Sequence, residues 1–190
     1  MPALDPQILT VVLVAPRYAD NVGAVARAMA NFGGKALRLV APNAMTRDGL
    51  ARRAARAGEE LLDAAQTFDT LAEALDGIDL TIATSHRAGR HRRPLTPWAL
   101  SGDLLDRVQP RSVALVFGPE DHGLKRDEID LCRHLVRIPT RTPMNLAQSA
   151  VVLLYELCAR ERGAADHRPA AADGAVPRIV AAASAPPPRA

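Results

Sequence analysis

The sequence predicts an α/β fold, a mainly parallel sheet with helices on both faces, and three observations carry that expectation. Strand-length apolar runs alternate with helical patterns from Ile8 to about Arg162, the order produced when crossover helices return the chain to start each new strand. Aromatic residues make up 3% of the chain and apolar residues 48%, so the core must be built mainly from Ala, Val, Leu and Ile. Between Val113 and Leu157, two strand ends and a helix start are each marked by Gly, Pro or Asn. Such marks gather exposed backbone at one sheet edge, where open α/β folds place ligands.

The elements follow in order. Ile8 to Val14 is an apolar strand, and Asn21 to Phe32 is a helix stopped by Gly33-Gly34. Lys35 to Val40 is the next strand. Thr46 caps a short Ala/Arg-rich helix that ends near Gly58, and Thr70 to Leu75 forms another short helix. Leu80 to Thr84 is a strand and leads into a loop dense in Arg and His. A helix around Trp98 to Val108 precedes the strand Ser112 to Phe117. Asp127 to Cys132 is helical, Leu135 to Ile138 is the last strand, and Leu146 to Arg162 is the closing helix. From Gly163 the composition shifts to Ala, Pro and isolated charges, ending in Pro186-Pro187-Pro188. This composition reads as a disordered tail over 163–190, leaving 1–162 as one domain.

Several function classes drop out on composition. No stretch has the length of a membrane span, and the N-terminus lacks the pattern of a secretory leader, so a cytoplasmic protein without membrane association is expected. Cys132 and Cys158 match no metal spacing, and there is no HExxH, so no metal site is expected. Neither GxGxxG after the first strand nor a Walker-type Gly-Lys-Ser/Thr is present, which removes the usual dinucleotide and nucleoside-triphosphate loops. The net charge is only +3, but from His86 to Arg93 four arginines and two histidines occupy eight positions. Arg52, Arg53 and Arg56 form a second basic cluster. Clusters of this density suit phosphate backbones, without saying whether RNA or DNA.

Three segments carry the chemistry. In Asn21-Val22-Gly23-Ala24-Val25-Ala26-Arg27, Asn21 sits at a strand-to-helix turn and Arg27 less than two turns later. The bland reading is a helix cap, a packing glycine and a solvated arginine; the functional one has Asn21 and Arg27 facing one cleft. In Phe117-Gly118-Pro119-Glu120-Asp121-His122-Gly123-Leu124, the bland reading is a turn with an exposed carboxylate at Glu120. Asn145, before Leu146-Ala147, has a bland reading as a helix cap. All three at separate strand ends, in this order, make the functional reading the better one.

On these residues the chain resembles the SpoU branch of the SPOUT RNA methyltransferases, most closely the TrmJ-like group. The family's first motif looks like Asn21-x-Gly-x-x-x-Arg27, its second like Phe117-Gly-x-Glu-x-x-Gly-Leu124, and its third like Ile138-Pro139 followed by Asn145-Leu146-Ala147. The resemblance runs from Ile8 to about Arg160. It implies a C-terminal deep trefoil knot, one of the rare exceptions to unknotted topology. It also implies a homodimer in which the catalytic Arg of one subunit faces cofactor held by the other.

Carried over residue by residue, Arg27, Asn21 and Asn145 would be catalytic. S-adenosyl-L-methionine would be bordered by Thr84, Ser85, His86, Gly118, Ile138, Pro143, Met144 and Leu146. Arg87, Arg90, Arg92 and Arg93 would hold the RNA backbone. The implied reaction is ribose 2′-O-methylation of RNA without a metal, and within the TrmJ-like group the expected target is the first nucleotide of the tRNA anticodon loop. The alternatives are an rRNA ribose methyltransferase and a catalytically impaired RNA-binding dimer of the same fold. Pro143 stands where the family usually has Ser, and Thr142 is the neighbouring hydroxyl expected to substitute. The substantial C-terminal extension common in relatives is here an Ala/Pro-rich tail.

Overall fold

A computed structural model describes residues 4–42, 49–86 and 93–159. Its centre is a six-stranded sheet of order β3-β2-β1-β5-β4-β6, with every pairing parallel. The strands are β1 (Leu9–Val14), β2 (Ala36–Val40), β3 (Gln66–Phe68), β4 (Leu80–Thr84), β5 (Val113–Phe117) and β6 (His134–Val136). Every residue of β1 and β5 is buried, as required of central strands covered on both faces. One face packs Leu9, Val11 and Leu13 against the helices α1 (Ala19–Asn31) and α8 (Leu146–Leu154). The other packs Val12, Val14 and Val116 under α4 (Leu71–Leu75) and the short α7 (Arg126–Asp130). The parallel sheet with helices on both faces is as the alternating pattern predicts. None of the helices among the described residues is long and apolar enough to cross a membrane.

Local chemistry sets the helix ends. Thr70 and Glu73 form a reciprocal capping box that starts α4, and Thr96 accepts the Ala99 amide to start α5 (Pro97–Ala99). The predicted helix around Trp98 to Val108 is present but not uniform. It passes through a π-turn at Leu100–Leu104 before α6 (Leu105–Val108), a wider winding that spacing alone does not reveal. Two other departures are β3, a three-residue strand that the sequence reading omits, and the start of α1. Tyr18, not Asn21, occupies the cap position of α1. The proposed cap Thr46 and the tail 163–190 lie outside the described residues. At the amino edge of the sheet, the Arg111 amide and guanidinium beside Asp79 hold its carboxyl below the usual carboxylate range.

The Ala/Arg-rich segment forms α2 (Gly49–Ala55), a 3₁₀ turn at Arg56–Gly58, and α3 (Glu59–Asp63). It lies against α1 at unusually short range, because Gly23 offers no Cβ. A Cβ there would overlap the Ala51 carbonyl oxygen and come to 2.9 Å from the Ala54 Cβ. Gly23→Ala is therefore expected to destabilise the protein by about 1–3 kcal/mol through overpacking, against which the gain in helix propensity is about 1 kcal/mol. Thermal unfolding checks this; an unchanged or raised Tm would mean that α1 and α2 are not in such close contact.

Candidate functional site

The carboxyl ends of β1, β4, β5 and β6 and the loops that leave them enclose a cavity of about 650 Å³. That volume lies in the range of small-molecule and cofactor sites. All eight residues expected to border the cofactor line it: Thr84, Ser85, His86, Gly118, Ile138, Pro143, Met144 and Leu146. Its walls mix apolar groups from Phe117, Ile138 and Leu153 with hydroxyls from Thr84, Thr140 and Ser149. Thr84 donates its hydroxyl to the Val116 carbonyl at 2.9 Å, fixing the β4 end against β5.

The loop after β5 bends back tightly at Gly118. A Cβ at that position would overlap the Leu124 amide nitrogen. Gly123 takes a left-handed φ of 70° and donates its N–H to the Pro119 carbonyl at 2.8 Å. This turn points Glu120 at the start of α1. One Glu120 oxygen accepts the Arg17 amide at 3.0 Å; the other accepts the Asn21 side-chain amide at 2.9 Å and the Tyr18 amide at 3.4 Å. Next to it, Asp121 pairs with the Arg17 guanidinium. Glu120 is thus a half-buried, fully engaged acceptor, which corrects its reading as an exposed turn carboxylate.

Asn21 is the centre of the arrangement. Its side chain is buried, and among the described residues only Thr10 shares that status as a buried polar residue. A buried amide needs partners on both its oxygen and its nitrogen. Asn21 gives its nitrogen to Glu120, and its oxygen accepts the Asn145 side-chain amide at 3.0 Å. The Asn145 oxygen in turn accepts the amides of Ala147 (2.8 Å) and Gln148 (3.4 Å), capping α8. The three sequence motifs are therefore joined into one hydrogen-bonded chain, Glu120–Asn21–Asn145–α8. Asn145 caps a helix, as its bland reading has it, and also belongs to the site.

Other expectations fare differently. Arg27 is exposed and does not line the cavity, which corrects the picture of Asn21 and Arg27 facing one cleft. Six residues of helix separate them by about 120° around the axis. Asn21 therefore looks toward α8, while Arg27 lies on the open stripe of α1 with Asp20 and Asn31. Thr142 is exposed and outside the cavity lining; its carbonyl accepts the Thr140 hydroxyl at 2.9 Å, and Thr140 is the threonine that lines the cavity. Of the basic segment, Arg93 is exposed, and Arg87, Arg90 and Arg92 lie outside the described residues. Among the described residues no group of three or more His, Cys, Asp or Glu is arranged to hold a metal.

Sequence reasoning also missed residues. Tyr18, Asp20, His122 and Ser149 line the cavity without having been singled out. Ser149 was legible in principle, since it lies one helical turn beyond the predicted Leu146.

An open parallel sheet with a mixed-polarity cavity at its carboxyl edge, reached from four strand ends, defines an α/β enzyme that binds its ligand outside the strand ends. More narrowly, the chain belongs to the SpoU rRNA Methylase family, which matches residues 8–155, and is a methyltransferase of that family. It is 39% identical over 157 residues to the tRNA (cytidine-2′-O-)-methyltransferase TrmJ of Methanocaldococcus jannaschii, covering 79% of this chain and 67% of that protein. It is 38% identical over 154 residues to the tRNA (cytidine/uridine/adenosine-2′-O-)-methyltransferase TrmJ of Pseudomonas aeruginosa, covering 78% of this chain and 60% of that one. The crystal structure of TrmJ from Z. mobilis ZM4 superposes with a TM-score of 0.74 at 33% identity, over 80% of this chain and 69% of that one.

Proposed function

We propose that the chain is an S-adenosylmethionine-dependent RNA ribose 2′-O-methyltransferase that acts on tRNA, at the first nucleotide of the anticodon loop. The observation that carries this reading is the Glu120–Asn21–Asn145 chain at the cavity, a rigid polar support in which each side chain is held by the next. Its similarity to enzymes named for tRNA 2′-O-methylation supports the substrate.

The residues present fit the cofactor. The cavity is large enough, Ile138, Met144 and Leu146 offer apolar surface, and Thr84, Ser85 and Gly118 bring strand-end residues to its wall. When bound, S-adenosylmethionine supplies an already activated methyl group on a sulfonium. What the protein must add is alignment of the ribose 2′-oxygen and relief of its proton. Asn145 and Asn21 orient the ribose from the mouth of the cavity. Arg27 meets the hydroxyl from the other subunit of a homodimer, since it stands outside the cavity of its own chain. A guanidinium is too basic to be an ordinary general base, so a substrate phosphate shares that role with it. No step in this scheme calls for a metal.

The dimer is supported by an apolar strip left open on α8 and the π-turn that extends it, where Val151 and Tyr155 are 42% and 56% exposed beside the open stripe of α1. Threading of the C-terminal segment into a knot is supported by contacts on both sides of β6. Ser85 donates to the Val136 carbonyl on the β4 side, while on the far side Leu95 donates to Leu135 and accepts from Arg137. Arg87, Arg90, Arg92 and Arg93 hold the tRNA backbone, and the enzyme works in the cytoplasm, on tRNA.

The test is methyl transfer from labelled S-adenosylmethionine to unmodified bulk tRNA, with mapping of ribose-methylated positions. Label at the first anticodon-loop nucleotide is the expected result. Label elsewhere in tRNA, or on rRNA only, would keep the chemistry and overturn the target. No label on either RNA would overturn the enzymatic reading in favour of an RNA-binding dimer.

A further inference from the structure

The turn between α2 and α3 carries a strained residue that the cavity does not use. Arg56 has a φ of 47°, in the left-handed region. A non-glycine residue there costs free energy that Gly or Asn would largely avoid. Gly58, two residues later, locks the turn onto α1: a Cβ there would come to 2.5 Å from the Ala26 carbonyl atoms and 2.7 Å from the Arg27 nitrogen. The turn is thereby pinned at the backbone of Arg27.

Charge distribution sharpens the point. Arg53 and Arg56 are exposed, as is Arg27. Among the described residues none of the three has a carboxylate partner, whereas neighbouring Arg52 is paired with Asp63. Helical geometry places Arg27 on the flank of the α1 stripe that faces this turn, since it follows the α2-packed Gly23 by four residues, about 40° around the axis. Arg27 and the turn that carries Arg56 are thus held together by backbone contact, Arg53 stands about one helical turn before Arg56, and among the described residues none of the three has a carboxylate partner.

We infer that Arg53 and Arg56 extend from Arg27 as a phosphate-binding track that positions the RNA strand entering the site. This rests on the reading of the chain as an RNA ribose methyltransferase. Guanidinium groups suit the role because each presents a planar fork of donors to phosphate oxygens and stays charged at any working pH. The track is separate from the Arg93 region. The segment holding the turn runs into α3, which packs on β2, while Arg93 precedes Leu95 at the outer side of β6. Those strands are four steps apart in the sheet, roughly 19 Å at the usual strand spacing. The RNA would therefore be held at two distant places, with the reacting ribose beside one of them.

The test is the double variant Arg53→Ala, Arg56→Gly in the full chain, compared with wild type. Glycine at 56 relieves the left-handed strain, so folding is expected to be preserved or improved. The measurements are Kd for unmodified tRNA over a salt series, S-adenosylmethionine affinity, and KM and kcat for tRNA. The expected result is a salt slope shallower by about 2, one per lost phosphate contact. KM should rise roughly ten-fold, with cofactor affinity and kcat near wild type. Unchanged slope and KM in an enzyme whose wild type methylates tRNA would overturn the track and leave the enzymatic reading standing. Joint loss of cofactor affinity and RNA affinity would also overturn it, by making the turn a structural element. A wild-type protein that binds no RNA would remove both the track and the reading on which it rests.

Discussion

Arg27→Ala is expected to lower methyl transfer by about 10³-fold, the size typical of removing one group that stabilises charge at a reacting atom, while S-adenosylmethionine affinity and Tm stay at wild-type values. The unchanged terms follow from position. Arg27 is exposed and lies outside the cavity, so its removal leaves no cavity wall altered and no buried group unpaired. The lost rate follows only if Arg27 reaches a cavity in another subunit, and mixing experiments isolate that step. Ile138→Trp should fill the cavity, since Ile138 is a half-buried lining residue, and should abolish turnover by itself. In a twofold dimer that shares sites, a mixed Arg27→Ala/Ile138→Trp dimer contains one intact site, so random mixing should restore about a quarter of wild-type activity. No recovery from two inactive parents that do form mixed dimers would place Arg27 in its own subunit's reaction or outside the mechanism. Retained turnover in Arg27→Ala alone would remove it from the mechanism.

The parts of this protein legible in the sequence are those decided by local chemistry. β1, β4 and β5 are apolar runs of strand length, and Thr70 with Glu73 announces α4 through a capping box that needs only three residues of spacing. β3 escaped because Gln66-Thr67-Phe68 has neither an apolar run nor alternation; it is a strand because β2 offers it an edge. The same division runs through the site. Gly118, Gly123 and Asn145 were visible because turns and caps select residue types. The role of Glu120 was not, because its partners lie 99 to 103 residues away in sequence and meet it only after β1 and β5 pair. Asn21 and Arg27 share a motif yet face different ways, since a motif records that both are needed and not that both serve the same cavity. Thr140, not Thr142, lines the cavity for a similar reason: in an irregular loop, adjacency in sequence says little about direction.

Glu120 provides the strictest test of whether the polar chain acts by positioning. Glu120→Ala would remove the acceptor of the Arg17 and Tyr18 amides, which are exposed and can turn to water, and of the buried Asn21 side chain, whose stranded amide should cost about 1–2 kcal/mol of stability. Asn21 would then lose the partner that fixes its amide, and Asn145 would lose its fixed acceptor in turn. A displacement of the order of 1 Å at that point is enough to reduce kcat by roughly 10²-fold. Glu120→Gln should behave differently. Its one remaining carbonyl oxygen can still accept from Asn21 and Tyr18, while its new NH₂ group confronts the Arg17 amide, donor against donor. The expected order of kcat and of Tm is therefore wild type, then Gln, then Ala, with the pH–rate profile of the Gln variant keeping the wild-type shape. Were Glu120 instead the group that takes the ribose proton, Gln would be as inactive as Ala and the acidic limb of the profile, set by protonation of that base, would vanish, at a Tm barely changed. Rate, stability and pH profile together thus separate a carboxylate that holds three loops in register from one that reacts.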